Sequence, residues 1–215
     1  MRFPSIQLEI ELKERSITTI RYHNLEWFKQ IYVDEKIQPR DMQKPEPFIV
    51  GRCYSFFYPN PKYAEELDFY TTFPISIFMG YKNDSVGNPM MLNLHFIPPK
   101  IRAAVLDKIF EINMNDIDRI ESVIVKNNVS VRNIKTGYSD LMRYLNTSGF
   151  QFAIRSYIPT LIATEPKIIS HADLWRVLTY ANQFMQKKDV REVYRLYKNK
   201  LEGYKTFKKE PTLKL

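Results

Sequence analysis

The sequence predicts an α+β protein: a small SH3-like β-barrel flanked by helices, with a basic helical C-terminal region. Short aromatic stretches between residues 48 and 97 alternate between apolar and polar positions, as β-strands do. On both sides of them, apolar residues recur at helical spacing. The 215 residues include 14 Tyr and 14 Phe and are 44% hydrophobic, which favours a folded core over a disordered chain.

The N-terminal segment, residues 1–47, is predicted to hold one strand, one helix and a linker. Apolar and polar residues alternate over residues 5–12, which indicates a half-buried strand. A broad apolar stripe over residues 19–32 predicts a helix. Three prolines set among charges between residues 39 and 47 indicate the linker.

Residues 48–170 are predicted to form the β-barrel core with inserted helices. The first strands are expected over residues 48–58, 73–79 and 90–97, with a turn or bulge at Gly51. One long loop and one tight turn join these strands, a pattern typical of a small SH3-like barrel.

The second half of this core is predicted to mix helix and strand. The expected elements are helices beginning at Pro98-Pro99, at 116–125 and at 138–145, and strands at 150–154 and 157–163. The two strands would close the barrel.

Residues 171–215 are predicted to form two basic helices and a basic tail. Apolar residues from Leu174 to Met185 share one helical face, and those from Val190 to Leu201 form a second stripe. Cations lie on a separate face of the second helix, where they can follow a phosphate backbone, remain solvated or meet another protein subunit. The predicted phosphate contacts are Lys187, Lys188, Arg191, Arg195, Lys198 and Lys200.

The net charge of +8 belongs to the C-terminal half of the chain. Residues 1–99 carry 11 Lys and Arg against 12 Asp and Glu, a net of −1, whereas residues 100–215 carry 21 against 12, a net of +9. Residues 171–215 alone carry 11 against 5, a net of +6. This asymmetry predicts an anionic partner, either the phosphates of nucleic acid or an acidic protein.

The sequence indicates neither an enzyme nor a cofactor. Its three histidines lie far apart, and one cysteine cannot build a Cys-based zinc site. The acidic cluster Glu65, Glu66 and Asp68 falls in a predicted loop and does not match a two-metal nuclease. Phosphate-cradling Gly-rich motifs are absent, and no apolar stretch reaches the roughly 18 residues of a membrane span.

Several aromatic residues, the cysteine and one histidine are predicted to stabilise the fold instead of binding a ligand. Tyr54, Phe56 and Tyr58 alternate onto one strand face, where a core role is favoured over the stacking of exposed bases. Cys53 is expected to be an inert buried thiol. His95 is expected to make a hydrogen bond that fixes the junction between its strand and the Pro-Pro helix.

Three stretches resemble the DNA end-protector proteins of tailed bacteriophages of the T-even type. The positions that match the family pattern are Phe56, Phe57, Tyr58, Pro61 and Lys62, then Leu67, Tyr70, Phe73 and Pro74, then Leu92, Asn93, Leu94, His95, Pro98, Pro99 and Arg102. The resemblance covers about residues 48–110. It departs from the pattern at Tyr70-Thr71-Thr72 and at Met91-Leu92, and the C-terminal third shows no alignable motif.

The resemblance implies a non-enzymatic virion protein that takes part in DNA packaging and head completion. Its partners would be the double-stranded termini of the packaged genome, which it would shield from host exonucleases, and other virion proteins. It would be found in the virion and, during assembly, in the host cytoplasm. The alternative is a structural assembly protein of the neck, tail or baseplate whose basic surface contacts other subunits.

Overall fold

The computed structural model describes most of the predicted core and both of its flanks. The described residues are 2–33, 48–62, 64–81, 87–99, 101–111, 153–179, 185–188 and 192–195. The predicted linker, the helices at 116–125 and 138–145 and the basic tail lie outside these residues.

Helices occupy both ends of the described chain and one segment of its centre. They are α1 (Pro4–Glu14), α2 (Ile17–Val33), α3 (101–111), α4 (Leu174–Thr179) and α5 (192–195). The start of α2 follows from its cap, because the Ser16 hydroxyl accepts a hydrogen bond from the backbone N–H of Thr19 at 3.1 Å. The predicted helix over residues 19–32 is thereby confirmed and extended by two residues at its start.

The predicted strand over residues 5–12 is wrong, because this segment is helix α1. Pro4 occupies the first turn, where proline is favoured, and the Leu, Glu and Lys residues that follow are strong helix formers. Tertiary contacts fix the helix: Ser5 donates from its backbone N–H and its hydroxyl to the Asp107 carboxylate on α3. The alternation of apolar and polar residues extends over only eight residues. The helix propensity of these residues and their contacts with Asp107 therefore decide the structure.

The described strands form an open antiparallel sheet and one short two-stranded pair. The strands are β1 (Cys53–Ser55), β2 (Tyr70–Thr71), β3 (Ile75–Tyr81), β4 (Pro89–Asn93), β5 (Ile154–Ser156), β6 (Lys167–Ile169) and β7 (Met185–Gln186). The sheet has the order β5-β4-β3-β1-β6, and β2 pairs with β7. The sheet is not closed within the described residues, so the predicted SH3-like barrel is not confirmed, whereas the mixed helix-and-strand class is.

Two side-chain layers cover the two faces of this sheet. On one face, Cys53 of β1, Ile77 of β3 and Leu92 of β4 are in register and join the main core, to which α2, α3, α4 and α5 also contribute. On the other face, Tyr54 and Phe78 belong to a second, aromatic-rich cluster. The helices therefore lie on one side of the sheet, and loop segments cover the other.

The aromatic-rich cluster consists of Phe48, Tyr54, Phe56, Tyr58, Phe78, Met91 and Tyr157. All seven are buried. The core role predicted for Tyr54, Phe56 and Tyr58 is therefore confirmed. Cys53 is also buried, and burial raises the pKa of its thiol, as expected of an inert cysteine.

Several strand boundaries differ from the predicted ones. The expected strand over residues 90–97 ends at Asn93, after which Leu94–Phe96 forms a 3-10 turn. The side chain of Asn93 caps this turn by accepting a hydrogen bond from the backbone N–H of His95 at 3.0 Å. Met185, predicted to continue the face of a helix, instead lies in β7 opposite Thr71. The division of the chain at residues 47 and 170 stays a prediction.

Candidate nucleic-acid interface

The structure describes three of the six cations predicted to contact phosphate, and two of these are anchored. The Lys187 ammonium donates to the backbone carbonyls of Glu65 and Leu67 at 2.8 and 2.9 Å. Lys188 lies 4.0 Å from the carboxylate of the exposed Asp68. These contacts hold the C-terminal segment against the acidic loop of the core.

Arg195, the third of these cations, is exposed on α5. Its guanidinium lies 3.9 Å from the Glu192 carboxylate, and 70% of its side chain is accessible. The neighbouring Val193 is fully buried, so packing and cationic faces are separate here, as the sequence indicates. The remaining three predicted contacts, Arg191, Lys198 and Lys200, lie outside the described residues.

Pairing between β2 and β7 joins the basic segment to the core. Tyr70 is in register with Gln186 and Thr71 with Met185, directly before the two anchored lysines. Lys187 has a positive φ of 69°, a left-handed backbone conformation that is uncommon for residues other than glycine. The sequence presents the near-neutral core and the basic C-terminal region as separate. In the structure they meet at the β2–β7 pair.

A cleft that the sequence did not predict lies beside this junction. We call it the aromatic cleft; it is lined by residues from 58–71, 88–96 and 154–158 and has a volume of about 410 Å³. All three stretches that carry the family resemblance contribute to this cleft. They do so through Tyr58, Leu67 and Asn93 respectively. The cleft also contains two cations, Lys62 and Arg155.

Two buried polar residues of the aromatic cleft, Asn93 and Tyr157, are joined by a hydrogen bond. The Asn93 amide donates to the Tyr157 hydroxyl at 3.0 Å, and both residues are buried. Burial raises the pKa of Tyr157 to about 12, although the hydrogen bond from Asn93 acts in the opposite direction. The phenol is therefore neutral at physiological pH, and the charges of the described lining are those of Lys62 and Arg155.

Arg102 is buried and connects three parts of the chain through hydrogen bonds. Its guanidinium donates to the Ile97 carbonyl at 3.1 Å, to the Val177 carbonyl at 2.7 Å and to the Tyr194 hydroxyl at 2.8 Å. The Tyr194 hydroxyl in turn donates to the His95 carbonyl at 3.3 Å. Arg102, part of the family resemblance, thus joins the Pro-Pro junction to α4 and α5.

His95 lies at the same junction and is buried, as predicted for a structural histidine. Its Nε2 lies 3.2 Å from the Phe73 carbonyl. Burial, and secondarily the nearby charge of Arg102, hold the pKa of His95 well below 6.5, while the Phe73 carbonyl acts in the opposite direction. The imidazole is therefore neutral in the folded protein at neutral pH.

This lowered pKa predicts a loss of stability in acid. The unfolded chain binds a proton at His95 near pH 6.5 and the folded chain does not, so the stabilising effect is complete above that pH. As the pH falls below 6.5, stability should decline by up to about 1.4 kcal/mol per pH unit until the folded pKa is reached. Denaturant unfolding at pH 7, 6 and 5 measures this slope.

The variant His95→Gln should have a shallower slope than the native protein between pH 7 and pH 5. His171 also has a lowered pKa, because of burial and the charge of Arg52, and its acid loss should remain in the variant. The exposed His23 provides the control, since His23→Gln leaves the His95 effect in place. Equal slopes in all three proteins would contradict this role of His95.

Neither a metal-binding cluster nor a membrane-spanning helix occurs among the described residues. Among these residues, no group of three or more His, Cys, Asp or Glu side chains is placed to hold a metal ion. In the same part of the chain, no helix is both long enough and apolar enough to cross a bilayer.

Together these features define a mixed helix-and-strand protein with an open antiparallel sheet and a cationic, aromatic cleft at its edge. The model of a family described as Phage T4 terminal DNA protecting protein matches residues 7–200. Because the match spans most of the 215 residues, the chain belongs to this family. The resemblance seen over residues 48–110 is confirmed. No curated protein and no solved structure matches the chain.

Proposed function

We propose that this protein is a non-enzymatic virion component that binds the ends of packaged linear DNA and shields them from host exonucleases. The family match over residues 7–200 is the observation that carries the proposal. The net charge of +9 on residues 100–215 supports it, since a basic region attracts phosphate over a range set by salt. The protein would act in the virion and, during head completion, in the host cytoplasm.

The proposed phosphate contacts are six of the 11 Lys and Arg residues of the C-terminal region, namely Lys187, Lys188, Arg191, Arg195, Lys198 and Lys200. Arg195 is exposed beside the buried Val193, so the helix can pack on the core while its cations face DNA. Arg191 and Lys198 would extend this face by one turn in each direction. Lys187 and Lys188 would support it by holding the segment to the core loop. Contacts of this kind position a protein on a backbone without reading sequence.

Reversing the charge of this helix face should abolish DNA binding. The triple variant Arg191→Glu, Arg195→Glu and Lys198→Glu replaces three cations by three anions. In the native protein, three phosphate contacts would give a slope of roughly −3 for log affinity against log salt concentration, and the variant should lose that contribution. Fluorescence anisotropy with a blunt-ended duplex at two salt concentrations measures both affinity and slope.

A matched control separates the site from the overall charge. The same change in net charge is made at exposed positions by Lys13→Glu in α1, Arg15→Glu directly after α1 and Lys29→Glu in α2. This control should bind DNA more tightly than the helix-face variant. Equal affinity of the two variants would refute the assignment of the site to the C-terminal helix.

End protection itself requires a comparison of DNA forms. The protein should bind linear duplexes more tightly than a closed circle of equal length and should slow the digestion of linear DNA by an added exonuclease. Failure to bind any DNA at low salt would overturn the proposal. Stable assembly with a purified neck, tail or baseplate subunit in the absence of DNA would instead favour the structural assembly role.

A further inference from the structure

The aromatic cleft has the size and charge of a small-molecule site. Its volume of about 410 Å³ lies within the range of about 300 to 1,000 Å³ that is usual for ligand pockets. Its described lining contains two cations, Lys62 and Arg155, and no carboxylate. Such a lining favours an anionic ligand.

Arg155 is arranged to receive a phosphate. Its guanidinium lies over the rings of Phe69 and Phe96, 5.2 and 5.1 Å from their centroids. In the part of the chain that the structure describes, this guanidinium makes no hydrogen bond or ion pair, so its five N–H donors are available. A planar fork of donors matches the oxygens of a phosphate group.

The rest of the cleft is suited to a flat ring with an amino group. Phe69 and Phe96 meet edge to face at 4.9 Å, and the buried Tyr58 and Tyr157 extend this aromatic surface. Asn88 lines the same cleft, and its Oδ1 is buried with no hydrogen-bond partner among the described residues. Such an oxygen cannot receive a hydrogen bond from the oxygens of an ionised phosphate, which are acceptors themselves. It can receive one from the exocyclic amino group of a nucleobase.

We propose that the aromatic cleft binds a single nucleotide, the terminal one of a DNA strand. Its phosphate would lie on Arg155 and Lys62, and its base would lie against the aromatic surface with its amino group on Asn88. The choice of a DNA end as the source rests on the proposed function, whereas the nucleotide chemistry rests on the cleft alone. A cavity of this size admits one unpaired nucleotide and excludes a duplex, so only a base that has left the stack can enter.

This arrangement explains how an end could be distinguished from the middle of a strand. The terminal base pair has one stacking neighbour instead of two, so its bases leave the stack more easily than internal ones. The basic helix would bind phosphates anywhere along DNA, and the cleft would add affinity only at a terminus. A terminal nucleotide held inside the protein is also inaccessible to an exonuclease.

Calorimetric titration with deoxyadenosine monophosphate tests the cleft directly. The native protein should bind this nucleotide, and should bind inorganic phosphate more weakly because phosphate makes no contact with the aromatic surface. Arg155→Met keeps an apolar side chain against Phe69 and Phe96 but removes the donors, and should weaken nucleotide binding about tenfold or more. Arg15→Met removes the same charge from an exposed position directly after α1 and should leave the affinity unchanged.

A second substitution guards against misfolding of the first variant. Lys62 is exposed, so Lys62→Glu should leave the fold intact and still weaken nucleotide binding through charge reversal. Thermal unfolding of each variant checks that it is folded. If the native protein ignores the nucleotide, or if Arg155→Met and Lys62→Glu bind it as the native protein does, the inference is overturned.

Linear and circular DNA separate this inference from the proposed function. Arg155→Met should keep its affinity for circles and lose most of its preference for ends. If the native protein prefers ends and Arg155→Met retains that preference, the cleft proposal fails while end protection stands. If Arg155 is needed to bind the nucleotide but linear DNA has no advantage over circles, end protection fails and the cleft is assigned to free nucleotides.

Discussion

Replacing Arg102 by methionine is expected to lower the free energy of unfolding by about 3 kcal/mol. Each buried acceptor left without its donor costs about 1 to 3 kcal/mol, and the guanidinium bonds the Ile97 carbonyl, the Val177 carbonyl and the Tyr194 hydroxyl. The variant also removes the desolvation penalty of a buried cation, so the net loss is smaller than the sum of these terms. For a domain of this size the melting temperature should fall by roughly 6 to 12 °C.

The effect should be specific to the buried site, and the same helix supplies its control. Lys108 of α3 is exposed and pairs with Glu111 at 2.9 Å, so Lys108→Met should change stability by less than about 1 kcal/mol. Arg102→Lys keeps the charge, but a single ammonium cannot reproduce the fork of donors, and most of the loss should persist. A loss below about 1 kcal/mol in Arg102→Met would show that Arg102 does not hold these segments together.

The burial of Arg102 could have been predicted from the spacing of its helix. Val105, Leu106 and Ile109 are buried, and Arg102 lies three, four and seven positions before them on the same face. An arginine at a core position of a helix must find several acceptors, which is a signal of a structural network. What the sequence could not provide was the identity of the acceptors, because Val177 and Tyr194 are 75 and 92 residues away.

Apart from α1, which was predicted as a strand, the longer described elements were predicted well, whereas the short strands β6 and β7 were missed. The helix over residues 19–32 and the central strand over residues 73–79 have enough residues to establish a period. β6 has three residues, of which Ile168 is exposed, and β7 has two, so neither shows a pattern that local sequence can reveal. Their positions follow from pairing with distant strands.

The same limit explains why the aromatic cleft was not predicted. Arg155 lies between Ile154 and Ser156 in an ordinary short strand, and its neighbours in space, Phe69 and Phe96, are distant in sequence. The excess of positive charge predicted a site at the C-terminal cations, but the Lys187 ammonium is bonded to the backbone carbonyls of Glu65 and Leu67. Arg155 makes no hydrogen bond or ion pair among the described residues, and it lies before the strongly basic segment 171–215.

Replacing Phe56 by alanine should cause the largest loss of stability, about 3 to 5 kcal/mol. The ring is fully buried, lies 5.1 Å from that of Tyr157 and 6.4 Å from that of Tyr58, and meets both edge to face. Its removal leaves a cavity in the aromatic-rich cluster that these rigid rings cannot fill. Denaturant unfolding of Phe56→Ala measures the change in the midpoint and in the free energy.

Phe57 provides the matched control, because it is adjacent in the chain and lies outside that cluster. Its half-buried ring stacks on Phe73 at 4.7 Å, so Phe57→Ala should cost less than half as much as Phe56→Ala. The backbone bonds of Phe57 to Thr164 and Ala163 do not depend on its ring, so the variant leaves them in place. If the two substitutions prove equally destabilising, the aromatic-rich cluster around Phe56 is not a part of the core that stabilises the fold.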